Sequence, residues 1–126
     1  MKEIMAIIRP KKVTATKDAL EKIGFPGITA VPVIGRGRQR GIAAELNIEV
    51  RSEAIISGEK AGLKYMDYIP KRLITIAVCD EDVDIIVKTI IEINKTDQIG
   101  DGKIFVSPMD NAIRIRTDET GESALN

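Results

Sequence analysis

An α+β domain made of two βαβ units, folded as a four-stranded antiparallel sheet with two helices on one face, is the fold class that this sequence predicts. Three observations carry the prediction. Four short apolar runs occur, and helical patterns fill the gap after the first run and the gap after the third. The stronger of these patterns, Val83, Ile86, Val87, Ile90 and Ile91, keeps helical spacing through Ile93. Each half also carries a glycine-rich basic turn, Gly35–Gly41 in the first and Gly100–Lys103 in the second. Two copies of one supersecondary unit in this order give the ferredoxin-like double βαβ arrangement.

The elements follow in order. Residues 2–8 (Lys-Glu-Ile-Met-Ala-Ile-Ile) form a strand closed by Arg9-Pro10. Thr14 or Thr16 caps a helix in which Ala19, Leu20 and Ile23 share a face, and Gly24 supplies the stop. Pro26-Gly27 turns the chain into a second strand, Ile28 to Ile34, which runs into the Arg/Gly stretch. Residues 42–67 carry no strong strand pattern; connections of that length in a small domain are usually functional, and this one is read as a mobile loop. Order resumes at Tyr68, with a third strand at Leu73–Cys79. Asp80-Glu81-Asp82 is expected to cap the second helix and to complement its positive end. A fourth strand, Lys103 to Ser107, stops at Pro108; a short strand at Ala112–Arg116 and a frayed polar tail, residues 117–126, complete a single domain spanning 1–126.

Two of the strands, Ile4-Met5-Ala6-Ile7-Ile8 and Leu73 to Val78, are apolar on both faces. Helices cover only one face of such a sheet, so the other needs a cover, and a second copy of the chain is the expected one. A homo-oligomer is therefore predicted.

Composition narrows the function. The chain has 126 residues with 19 basic and 19 acidic side chains, so no global field draws nucleic acid or an anionic membrane. Aromatic residues make up 3% and tryptophan is absent, which removes the stacking platforms of single-strand binders. Histidine is absent too, excluding histidine acid–base chemistry, phosphohistidine transfer and histidine-ligated zinc. The one cysteine, Cys79, is read as buried and inert, and fits a reducing cytoplasm. No apolar run reaches membrane-spanning length, and Arg9-Pro10 interrupts the N-terminus too early for a secretory core.

The run Gly35-Arg36-Gly37-Arg38-Gln39-Arg40-Gly41 alternates glycine with charge. Taken alone it reads first as a charged hairpin edge, while Gly100-Asp101-Gly102-Lys103 reads equally as an ordinary tight turn. Together they form an anion pocket: glycine turns offer backbone N–H nests, and guanidinium forks suit phosphate or carboxylate. Arg114 and Arg116 join them if the two-residue period of a strand holds there. Lys71 is either a solvated lysine or a further cation at the loop base, and Asp101 either a Mg²⁺ ligand or a turn former. Gln39, a neutral amide among arginines, suits metal-bound water or a small acid. No nucleophile lies beside a base and no metal-ligand cluster occurs, so the chain is expected to be a sensor and not an enzyme.

Over both halves the chain resembles the nitrogen-regulatory PII signal-transduction proteins. The resemblance rests on Ile4-Met5-Ala6-Ile7-Ile8-Arg9-Pro10, on Gly35–Gly41, on Thr96 through Val106 and on Ile113-Arg114-Ile115-Arg116-Thr117. It implies a homotrimer with sheets packed inward and ATP or ADP bound in clefts between subunits. Gly35, Gly37, Arg38 and Gln39 would line the nucleotide from one side. Gly100, Asp101, Gly102 and Lys103 would lie along its phosphates, with Arg114 and Arg116 beside them and Thr29 near the adenine. Mg²⁺ would sit between the phosphates and Gln39. 2-Oxoglutarate would be taken by Gln39, the Gly41 backbone and Lys71. Residues 42–67 would be the T-loop that docks on targets.

The chain departs from that family in three ways. The usual uridylylated tyrosine has no counterpart, since Tyr65 and Tyr68 lie at the loop's far base; Thr75 stands in place of a glutamate and Asp97 in place of a glycine; and the loop is longer than usual. The long loop is similar to the nitrogenase-associated (NifI) branch, whose members work in pairs and inhibit dinitrogenase until 2-oxoglutarate and ATP relieve them. Regulation of an ammonium transporter or another nitrogen-assimilation enzyme is the alternative within the family. An acylphosphatase-type enzyme is the remote alternative outside it, lacking a catalytic partner for its arginine.

Overall fold

The computed structural model describes residues 1–37 and 68–126. Arg38, Gln39, Gly41, Tyr65 and the 42–67 loop lie outside them. Strand β1 (Lys2–Ile8) leads through a short 3-10 turn into helix α1 (Val13–Lys22), and strand β2 (Thr29–Arg36) follows. The second half comprises β3 (Tyr68–Val78), α2 (Val83–Asn94) and β4 (Lys103–Pro108). Strands order β2-β3-β1-β4, every neighbouring pair antiparallel. This is the expected ferredoxin-like double βαβ.

Period-two alternation sorts the side chains. Ile4, Ala6 and Ile8 of β1 and Ile74, Ile76 and Val78 of β3 are buried with Leu20 of α1 and Ile86 and Ile90 of α2 in one core. The opposite face carries Met5, Ile7, Leu73 and Thr75, with Val31 and Phe105 still 42% and 45% exposed. Among the described residues, an apolar sheet face is thus left open.

Local chemistry sets the ends of α1. Gly24 at φ 98 allows the Phe25 N–H to donate to the Leu20 carbonyl and the Gly24 N–H to that of Glu21, the paired closure of a Schellman motif. At the other end the capping expectation fails. Thr16 lies a turn inside α1, fully buried, with Oγ1 donating to the Lys12 carbonyl at 2.7 Å and accepting from Asn94 Nδ2 at 3.0 Å. It fastens the two helices together. Asp80 likewise caps nothing: its carboxylate pairs with the N-terminal ammonium at 3.0 Å, and a 3-10 turn, Asp80–Asp82, precedes α2.

The C-terminal segment departs most from expectation. Among residues 112–116 only an isolated bridge forms, Ile113 to Thr120, and Gly121–Leu125 coil into a 3-10 helix. The segment expected to fray folds back, because Arg114 reaches Glu119, the Ser123 carbonyl and the Asn126 carbonyl from one guanidinium. Burial and the carboxylate of Glu122, on this returning segment, push the thiol of the half-buried Cys79 upward and keep it protonated.

Candidate functional site

The topology brings four chain ends together. β1 and β2 run one way and β3 and β4 the other, so the ends of the first pair and the starts of the second share one edge of the sheet. Gly35–Gly37, the described start of the first glycine run, and the Gly100–Lys103 turn therefore meet there. They wall a cleft of about 380 Å³ lined by Gly35, Arg36, Gly37, Ile69, Lys71, Gly100, Gly102 and Lys103, with Ile7, Ile99 and Phe105. The cleft thus gathers three cationic side chains, Arg36, Lys71 and Lys103, and glycine backbone from two chain segments, the donor types that an anion requires. A second groove of about 420 Å³, between α2 and β4, is lined mainly by isoleucine and valine, with Asn94, Lys95, Asp101 and Lys103 as its polar side chains.

Lys71 forms part of the inner wall, 8% exposed, its Nζ donating to the Gly100 carbonyl at 2.7 Å. Burial, and then the charge of Arg9, hold its ammonium below the ordinary value of 10.5, while Asp101 pulls the other way. Because the folded pKa lies below the unfolded one, folding is penalised by the charged form and gains stability as pH rises from the lowered value toward 10.5. An anion bound at Lys71 reverses that shift. Dicarboxylate binding at alkaline pH is therefore expected to take up protons, seen as a buffer-dependent heat in calorimetry. A heat independent of the buffer would remove Lys71 from the ligand's contacts.

Asp101 does not face the cleft; it lines the groove on the helix side of the turn. Its carboxylate accepts from the Thr96 hydroxyl, the Thr96 N–H at 2.7 Å, the Asp97 N–H at 3.0 Å and Arg9 Nη1 at 2.6 Å. These bonds, the Thr96 hydroxyl first, hold Asp101 far below the usual carboxylate range. The stabilisation is present above the unfolded carboxylate pKa and is lost only as pH falls through the much lower folded one. Of its two readings from sequence, turn former is the one that this placement matches. Asp97 adopts φ 66, a left-handed conformation that glycine takes without strain and aspartate tolerates.

Other expected site residues are scattered. Thr29 stands at the far end of β2 from Gly35, directly across from Thr75 on β3, so the adenine-side candidate pairs with a position at which the chain departs from the family. Arg114 turns into its own C-terminal segment, and Arg116 lies in the turn after it, where the two-residue period of a strand does not apply. Neither lines the cleft. Arg9 was missed by the sequence reading. Its signal was slight: a charged residue closing a strand, 92 positions from its partner Asp101.

The family model of the nitrogen regulatory protein P-II matches residues 1–119. The chain belongs to the P-II family. It is 55% identical over 125 residues to the nitrogen fixation nifHD1 region GlnB-like protein 2 of Methanosarcina barkeri, covering 99% of both chains. It is 48% identical, over 99% of both chains, to the nifHD region GlnB-like protein 2 of Methanobacterium ivanovii. Among solved structures it is similar to the PII protein of Arabidopsis thaliana in its citrate-bound crystal form, with a TM-score of 0.72 and 31% identity over 98% of this chain and 88% of that one.

As a P-II protein the chain is a regulator in nitrogen signalling, not an enzyme. Among the described residues no helix is long and apolar enough to cross a membrane.

Proposed function

We propose that this P-II protein senses nitrogen status in the cytoplasm by binding ATP or ADP together with 2-oxoglutarate, and regulates dinitrogenase by direct contact through its 42–67 loop. The observation that carries the reading is the convergence of Gly35–Gly37, Lys71, Gly100, Gly102 and Lys103 on one cleft. Phosphates fit the glycine turns and Lys103. A dicarboxylate fits Lys71, and Gln39 and the Gly41 backbone follow Gly37 closely enough in the chain to meet the same ligand. Mg²⁺ joins through the phosphates and Gln39.

The open apolar sheet face supports a homotrimer with this cleft between subunits. Arg114 and Arg116, which do not line the cleft of their own chain, then serve the cleft of a neighbour. Citrate on the Arabidopsis relative supports a carboxylate-binding family member. The nitrogen-fixation region in the names of the relatives supports dinitrogenase as target, and their numbering as protein 2 supports co-assembly with a paralogue.

Calorimetric titration with ATP, ADP and 2-oxoglutarate, alone and paired, tests the sensor. Each of ATP and 2-oxoglutarate is expected to tighten the other, since linkage makes the coupling reciprocal. Independent binding would sink it. Deleting residues 45–65 should preserve assembly and ATP binding while abolishing dinitrogenase inhibition; inhibition that persists would show that the loop does not report the cleft. Retention by an ammonium transporter, and not by dinitrogenase, would favour the other target class.

A further inference from the structure

We infer that Arg9 and Asp101 form a hook that positions the phosphate-side turn, so that a carboxylate pointing away from an anion cleft strengthens anion binding there. The inference rests on the proposed anion-binding role of the cleft and adds two positioning residues to it.

The turn between α2 and β4 is held from both sides. On the cleft side Lys71 donates to the Gly100 carbonyl, and Gly102 lies against the Ile7 carbonyl of β1. On the far side Arg9, the residue after β1, bonds Asp101 Oδ1 with one guanidinium nitrogen and the Ile99 carbonyl with another at 3.2 Å. Asp101 Oδ1 also accepts from the Thr96 hydroxyl, and Oδ2 from the Thr96 and Asp97 N–H groups. Both oxygens therefore face only donors. A ligand anion that draws Lys71 from the Gly100 carbonyl removes the turn's hydrogen bond on the cleft side, and the Arg9–Asp101 hook then supplies the side-chain bonds that keep Gly100–Lys103 in place.

Two roles for Asp101 predict opposite signs. If it acts only as a charge, removing it relieves repulsion and an anion binds more tightly. If it acts as a hook, Asp101→Asn turns an amide NH₂ toward donors whichever way it is oriented, the turn loosens and the anion binds more weakly. Arg9 separates the cases again. Arg9→Lys keeps the charge but cannot fork to Asp101 and Ile99 together, whereas a long-range attraction would not notice the change.

The test is calorimetric titration of the full chain with MgATP for Arg9→Lys, Arg9→Gln, Asp101→Asn and the double variant Arg9→Gln/Asp101→Asn, with Lys103→Ala alongside. Asp101→Asn and Arg9→Gln are expected to weaken binding about tenfold each, with the double variant no weaker than the worse single and Arg9→Lys in between. Thr96→Val, which removes one bond from the carboxylate without altering charge, should weaken binding in the same direction and stands in should Asp101→Asn fail to fold. Tighter or unchanged binding in Asp101→Asn, or in Thr96→Val, while Lys103→Ala loses affinity, overturns the hook and leaves the cleft. Unchanged binding in Lys103→Ala as well removes both.

Discussion

Gly102→Ala is expected to destabilise the fold by roughly 2–4 kcal/mol, the combined scale of a side chain forced to positive φ and a displaced backbone. Gly102 has φ 116, and an added Cβ would sit 2.0 Å from the Ile7 carbonyl oxygen and 3.1 Å from its carbon. Both atoms are backbone of β1, which pairs with β4 through Ile7 and Lys103 directly beside them. No rotamer change relieves the clash; either the β1–β4 ladder opens or the turn moves. Denaturant unfolding followed by circular dichroism would measure the loss. Gly35→Ala is the control, since among the described residues nothing lies within 4 Å of its Cβ position and its φ is not positive; a change within about 0.5 kcal/mol is expected there. An equal loss at both positions would show that the cost is general to glycine and not due to the close approach at Ile7.

Lys103→Ala should have the largest effect on ligand affinity, weakening nucleotide binding by roughly 1.5–3 kcal/mol, the scale of a hydrogen bond to a charged group. Lys103 opens β4 on the cleft side, exposed and beside Gly102, so its ammonium is available to a phosphate. Being exposed, it contributes little to the fold, and unfolding of the variant should be nearly unchanged. Affinity and stability are thereby separated: Gly102→Ala moves both, Lys103→Ala only the first. An ATP titration unaltered by Lys103→Ala would remove the cleft as the nucleotide site.

Much of the fold was legible because hydrophobic periodicity is local. Strand β1 matches its apolar run, and α2 follows from Val83, Ile86, Val87 and Ile90: Ile86 and Ile90 lie in the core at helical spacing, and Val83 and Val87 pack against it. The errors share a cause. Thr14 and Thr16 are equally good caps on composition, and only the arrival of Asn94 from α2 makes Thr16 a buried tie. Arg114 and Arg116 satisfy a strand period on paper, but Asp118 at φ 64 turns the chain and Glu119 captures Arg114. Composition does not separate the two glycine runs, yet Gly100 and Gly102 adopt positive φ, whereas Gly35 and Gly37 do not.

By itself the sequence determined the double βαβ order, the apolar second face and the two glycine-rich turns as partners, since spacing and residue type are properties of short segments. Only the tertiary structure decided which charges face the cleft. Lys71 turns inward onto the Gly100 carbonyl, Asp101 turns outward to four donors, and Arg9 crosses 92 positions to hold it. In irregular segments the direction of a polar side chain is set by whichever distant donor or acceptor satisfies it, and here those partners come from the ends of other strands.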